Sequence, residues 1–156
     1  MDLESVKRLL EKGGDERENA SIDSVSNKTK FFDPFILQGI QVDVIEPGRV
    51  VCSMKVPPRL LNSGNFLHGG ATASLVDIVG SAAIHTVGAQ TTGVSIEISV
   101  SYLDAAFANE EIEIDAKVLR VGKAIGVVNV ELRKKKTAKV FAQGRHTKYL
   151  AVSSNL

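Results

Sequence analysis

The chain has 156 residues, 44% hydrophobic and 24% charged, with a formal net charge of +1. That composition suits one globular domain that buries its own core, and near-neutrality excludes a strongly electrostatic nucleic-acid binder. A lone cysteine, Cys52, excludes an intramolecular disulfide and fits a reducing compartment.

No apolar run is long enough and clean enough to span a bilayer. Residues 1 to 18 alternate acids and bases and lack the apolar stretch of a signal peptide. Val6, Leu9 and Leu10 recur at helical spacing and predict a short helix over residues 2 to 12, stopped by Gly13-Gly14. Residues 13 to 30, rich in Gly, Asp, Glu, Asn and Ser, read as a mobile linker. Three segments result: a helix and linker over 1–30, a folded domain over 31–150, and a tail over 151–156. The tail ends in Ser154-Asn155-Leu156, close to the Ser-Lys-Leu type of peroxisomal address, which leaves peroxisome and cytoplasm both open.

The aromatic cluster Phe31-Phe32-Asp33-Pro34-Phe35 reads as a helical plug on the core or as part of a pocket wall. Residues 38 to 45 and 49 to 56 predict two strands about the turn Glu46-Pro47-Gly48, and Pro57-Pro58 ends the second. From Gly69 to Val87 apolar residues surround the chain on nearly all sides. That pattern predicts one buried helix about 28 Å long, with Gly88 at its stop. Four strands then follow. Val94, Ile96, Ile98 and Val100 alternate with Ser95, Glu97, Ser99 and Ser101, and Ile112, Ile114, Ala116 and Val118 alternate with acids and a lysine. Residues 125 to 133 and 139 to 149 complete the set, joined by a hairpin at Lys134 to Ala138. Such alternation gives a sheet with one buried and one wet face. The expected fold class is α+β, an antiparallel sheet wrapped around one long central helix.

Asp77 is the only carboxylate between Gly69 and Ile96, in the middle of the apolar helix. A buried carboxylate must acquire hydrogen bonds or shift its pKa, and perturbed carboxylates cluster at functional sites. A structural aspartate bound to a backbone amide is the competing reading. His68-Gly69-Gly70 adds to the functional one, because two glycines bare the first-turn amides at the positive end of the helix, where an oxyanion can be held. Gly69 and Asp77 lie eight residues apart, about 12 Å along a helix, so one carbonyl cannot touch both in one chain. Two such helices crossing antiparallel on a twofold axis would bring Gly69 of one copy near Asp77 of the other. If the two residues cooperate, the site lies at a dimer interface.

The stretch from Asn62 through His68-Gly69-Gly70 to Asp77 resembles the hotdog-fold thioesterases. It resembles most the small acyl-CoA thioesterases of the thioesterase superfamily member 2 type and the related phenylacetate-pathway enzymes. The resemblance runs from about Phe35 to Tyr149 and includes Gly93-Val94-Ser95, Val118 to Lys123 and Ala142 to Lys148. It implies a hotdog fold and hydrolysis of fatty or aryl acyl-CoA, with coenzyme A as part of the substrate and no cofactor. It implies that the Gly69 amide polarises the thioester carbonyl, that Asn62 helps bind it, that Asp77 of the partner copy activates water and that Ser95 holds the water. His68 supports the loop beside the substrate. The strand and turn Arg120-Val121-Gly122-Lys123 would contact the nucleotide. A homodimer, further paired into a homotetramer, is the implied assembly.

Coenzyme A phosphates need cationic donors, and Arg120, Lys123, Arg145 and Lys148 are the candidates at the mouth of the site. Tyr102 and Leu103 would border the pantetheine channel. Lys134, Lys135 and Lys136 read as a solvated hairpin. No Gly-x-Ser-x-Gly nucleophile motif occurs, and His85, His146 and Cys52 lack metal-ligand spacing, so no metal is expected. Asp77 could act as general base or through a mixed anhydride, and Ser95 favours the general base. An enoyl-thioester hydratase or dehydratase using His68, and a non-catalytic acyl-CoA binding module, are the alternatives.

Overall fold

A computed structural model describes residues 2–11, 30–89, 91 and 93–150. The proposed linker up to residue 29 and the C-terminal tripeptide lie outside the described residues. Helix α1 spans Leu3–Leu10, capped by Asp2, whose Oδ1 accepts from the Ser5 amide at 2.7 Å. Val6 and Leu10, four residues apart, are wholly buried. Burial contributes about 1.5–3 kcal/mol for each such side chain, enough to dock a helix of two turns. Helix α2 spans Phe32–Leu37. The strand expected from residue 38 starts later, because Gly39 takes a φ of 88° and turns the chain out of the helix first. Strands β1 (Gln41–Glu46) and β2 (Arg49–Lys55) form the expected hairpin.

Helix α3 spans Gly69–His85 and β3 to β6 span Val94–Tyr102, Glu111–Val121, Ile125–Lys134 and Val140–Tyr149. The six strands form one antiparallel sheet in the order β1-β2-β4-β5-β6-β3, and α3 lies against β2 through β6. This is the hotdog arrangement expected from the sequence. α3 ends two residues before the expected Val87. Thr86 stops it by donating from Oγ1 to the Ala83 carbonyl at 2.6 Å while accepting from the Gly48 amide at 2.8 Å. Helix end and β1–β2 turn are thereby tied together.

Close approach of helix and sheet depends on small residues. A Cβ on Gly144 would come within 2.8 Å of both Val76 methyls, and one on Gly80 within 3.2 Å of His146 Nδ1. The outer sheet face is less wet than strict alternation implies. Asp115, only 2% exposed, accepts a two-pronged hydrogen bond from Arg49 at 3.1 and 3.0 Å, with Arg133 at 3.6 Å.

β3 is an edge strand and carries a bulge. Ser95 opposes Lys148, but Glu97 opposes Thr147, so Ile96 is the extra residue. Simple alternation puts Ser95 opposite in facing to Ile98 and Val100. The bulge shifts the phase, so Ser95 joins Ile98, Val100 and Tyr102 on the helix side, in register with Lys148, His146, Gly144 and Ala142. Val94 and Ile96 are left 69% and 57% exposed on an unpaired edge.

Candidate active site

The bulge brings Ser95 beneath Asp77. Ser95 Oγ donates to Asp77 Oδ1 at 3.3 Å and lies 2.9 Å from His146 Nε2. The serine has one hydrogen, directed at the carboxylate, so His146 Nε2 carries its own hydrogen and donates to Oγ. The result is a directed chain, His146 to Ser95 to Asp77, ending on one carboxylate oxygen. Among the described residues no partner engages the other oxygen, Oδ2. His146 is wholly buried, its Nδ1 unpartnered among the described residues and seated against Gly80. Burial pushes its pKa below the usual 6.5, and Lys148 adds to this while Asp77 opposes it.

Asp77 itself differs from expectation. Its side chain is 45% exposed rather than sealed in the core. The helix is apolar all round, yet Asp77 sits where its face meets a cavity of about 490 Å³. Asp77, Ile78, Ser81, Ala82 and His85 of α3 form one wall, with Ser95 and Lys148 beside them and α1 and α2 opposite. The aromatic cluster reaches this cavity through Asp33 and Pro34, with Leu37 of α2 beside them, not through its phenylalanines; Phe32 and Phe35 border a separate recess.

At the N-terminal end of α3, His68 is the N-cap and its Nδ1 accepts from the Gly70 amide at 2.8 Å. His68 thereby ties down the first turn of the helix. The Gly69 amide meets no acceptor among the described residues, whereas the Gly69 carbonyl accepts from Tyr102 Oη at 2.7 Å. Asn62 Oδ1 accepts from the Gly64 and Phe66 amides at 2.9 and 3.3 Å, which shapes the loop and leaves its side-chain NH₂ as the group able to donate. Tyr102 and Gly69 thus meet, as do Ser95 and Asp77, but the first pair sits at the start of the helix and the second at its middle, eight residues on.

The cationic candidates divide. Arg120 and Arg145 are exposed on the outer face, and Lys123 is exposed with Val121 and Gly122 around the β4–β5 turn. Leu103 is exposed just past β3. Lys148 departs from the expected rim position. It points inward, buried, with Nζ 2.7 Å from Ser81 Oγ, and burial lowers its pKa while Asp77 raises it. Its place on β6 explains this, because 148 shares phase with the inward residues 142, 144 and 146. That phase is also the signal that identifies His146 as a site residue, which metal-ligand spacing could not.

Cys52 is buried and burial pushes its thiol up, so it is no nucleophile. Among the described residues no group of three or more His, Cys, Asp or Glu side chains could hold a metal ion, and no helix is long and apolar enough to cross a membrane.

Residues 64–141 match the model of the family described as Thioesterase superfamily. The human acyl-coenzyme A thioesterase 13 is 42% identical over 104 residues, 67% of this chain and 74% of the relative. The chain belongs to the thioesterase superfamily. As a member it is a thioester hydrolase. Acyl-coenzyme A thioesterase PaaI of Escherichia coli is 28% identical over 110 residues, 69% of this chain and 77% of that protein. The crystal structure of zebra fish thioesterase superfamily member 2 superposes with a TM-score of 0.79 at 34% identity, covering 97% of this chain and 99% of that one. The hotdog fold is therefore shared with solved thioesterases over nearly the whole length.

Proposed function

We propose that the protein hydrolyses acyl-CoA thioesters to free acid and coenzyme A, using water activated by Asp77. The observation that carries this is the His146–Ser95–Asp77 chain, which fixes one carboxylate oxygen and leaves the other open to a cavity of acyl dimensions. Asp77 takes a proton from water as the water oxygen bonds to the thioester carbon. The carbonyl oxygen becomes an oxyanion, and collapse of the adduct breaks the C–S bond, the proton passing to the departing thiolate. Relatives named as acyl-coenzyme A thioesterases support the substrate class.

The oxyanion donor is the Gly69 amide of a second copy. β3 runs back along α3, with Ser95 at Asp77 and Tyr102 at Gly69. An antiparallel pairing of two β3 edges centred between Ile98 and Ser99 would set Ser95 of one copy opposite Tyr102 of the other. Gly69 of one then approaches Asp77 of the other, with two sites per dimer. The exposed Val94 and Ile96 on that edge support the pairing, which would complete the sheet across both copies. Pairing of dimers into a tetramer, and a peroxisomal address at Ser154-Asn155-Leu156, belong to the same proposal. His68 Nδ1 is occupied by the Gly70 amide, which speaks against its use as a hydratase base.

The test is thiol release from acyl-CoAs of graded chain length and from aryl-CoAs. Asp77→Asn should lose about two to four orders of magnitude in kcat. Absence of thiol release from every ester, or full activity in Asp77→Asn, would overturn the reading.

A further inference from the structure

The cavity beside Asp77 has two walls of different origin. Along α3 it runs from Asp77 past Ile78 and Ala82 to His85, about 12 Å of helix. At roughly 1.2 Å per bond, an extended acyl chain of about ten carbons spans that length. Ser81 and Lys148 also border it but turn on each other, with Nζ 2.7 Å from Oγ. The facing wall comes from the two N-terminal helices, as Leu9 of α1 with Pro34 and Leu37 of α2.

Helix α1 is fixed in place by its other side chains. Val6 and Leu10 are wholly buried, and Glu11 just past the helix accepts from the Val42 amide of β1 at 3.4 Å. Leu9 lies three residues from Val6, at the border of this docked face, and is 40% exposed. An exposed leucine in open solvent needs no explanation. Leu9 instead borders the cavity that Asp77 shares, where an apolar occupant would leave water together with the leucine.

We propose that Leu9 is a specificity-determining residue: the acyl chain packs between Leu9 of α1 and the Ile78–Ala82 stretch of α3, so the N-terminal helix selects medium-length acyl chains over short acyl groups. Chain-length preference then resides in a helix that carries none of the reacting groups. Each methylene laid between the two walls leaves water, which favours the longer ester by up to about fourfold in kcat/KM, the equivalent of about 0.8 kcal/mol. An acetyl group ends beside Asp77 and gains none of this. The inference rests on the acyl-thioesterase reading and adds the element that chooses the acyl group.

The experiment measures kcat/KM in the full chain for straight-chain acyl-CoAs of two to about twelve carbons. In the wild type it should rise about twofold to fourfold per methylene through the medium lengths and level off near ten carbons. Leu9→Gln keeps the side-chain length and the helix propensity but places an amide in the wall. The ratio of kcat/KM for the ten-carbon ester to that for the two-carbon ester should fall at least about fivefold, and the denaturation midpoint should move little because Leu9 is already part-exposed. Arg8→Gln alters the neighbouring exposed position, which does not line the cavity, and should leave the ratio at the wild-type value. A ratio unchanged in Leu9→Gln would overturn the proposal. So would an equal loss at every chain length, or the same fall in Arg8→Gln, since either assigns α1 a role in stability alone. Calorimetric binding of the same esters to Asp77→Asn, with and without Leu9→Gln, separates the two claims. Length-dependent binding that weakens in Leu9→Gln, without turnover in the wild type, would sink hydrolysis alone. Turnover with binding indifferent to Leu9 would sink the α1 wall alone.

Discussion

Gly80→Ala probes the hydrogen-bonded chain beneath Asp77 without touching any member of it. An alanine inside a helix is favoured over glycine by about 1 kcal/mol, so the substitution gains local stability. Against this, the new Cβ would lie 3.2 Å from His146 Nδ1 and 3.4 Å from a Val130 methyl. Relief needs a shift of a few tenths of an ångström, and the imidazole, an edge without a hydrogen-bond partner at Nδ1, is the group that gives way. The two effects are of similar size, so the unfolding free energy should change by less than about 1 kcal/mol. Activity should not be spared. The displaced ring lengthens the 2.9 Å contact to Ser95 and lets the carboxylate rotate, and small misplacements of a reacting group cost roughly tenfold or more in rate. Urea denaturation read beside steady-state thiol release measures both quantities. Unchanged stability with unchanged kcat would refute the idea that His146 holds Asp77 in position through Ser95.

Three further outcomes follow from the same geometry. Ser95→Ala should lower kcat by about tenfold to a hundredfold and destabilise the fold by about 1–3 kcal/mol, because His146 Nε2 loses its acceptor inside the core; kinetics and denaturation midpoints check the pair. His146 has its pKa lowered in the fold, so the unfolded chain binds the extra proton: stability is full above about pH 6.5 and declines as pH falls below it, by at most about 1.4 kcal/mol per pH unit. Denaturation midpoints from pH 7.5 down to about 5 should therefore fall more steeply in the wild type than in His146→Gln. Ile96→Lys puts a charge on the exposed β3 edge; sedimentation should show monomers that keep their secondary structure but not their activity, and active monomers would count against a shared site.

Much of the fold is legible in the sequence because its periodicities are strong. Alternation sets the strands, and the apolar run from Gly69 sets the helix within two residues of its observed end. What escapes is local. A bulge at Ile96 leaves no trace in residue type, so the helix-side facing of Ser95 follows only from the resemblance, not from alternation. Asp77 stands out as a misplaced carboxylate, but its half-exposure depends on where α1 and α2 leave room, which pattern alone does not encode. His146 and Lys148 read as a lone histidine and a surface cation until the β6 register places them under the helix. Gly80 reads as a weak spot in α3 and turns out to be the space that His146 occupies.

The extra residue in β3 makes this strand tolerant of spelling changes and intolerant of lengthening. Exchange of Ile96 for another side chain leaves the frame of the strand intact. Inserting one more residue beside it would throw the ribbon out of step with its neighbour, turn Ser95 to the opposite face and strip Asp77 of its anchor, although no atom of the chemistry had been removed.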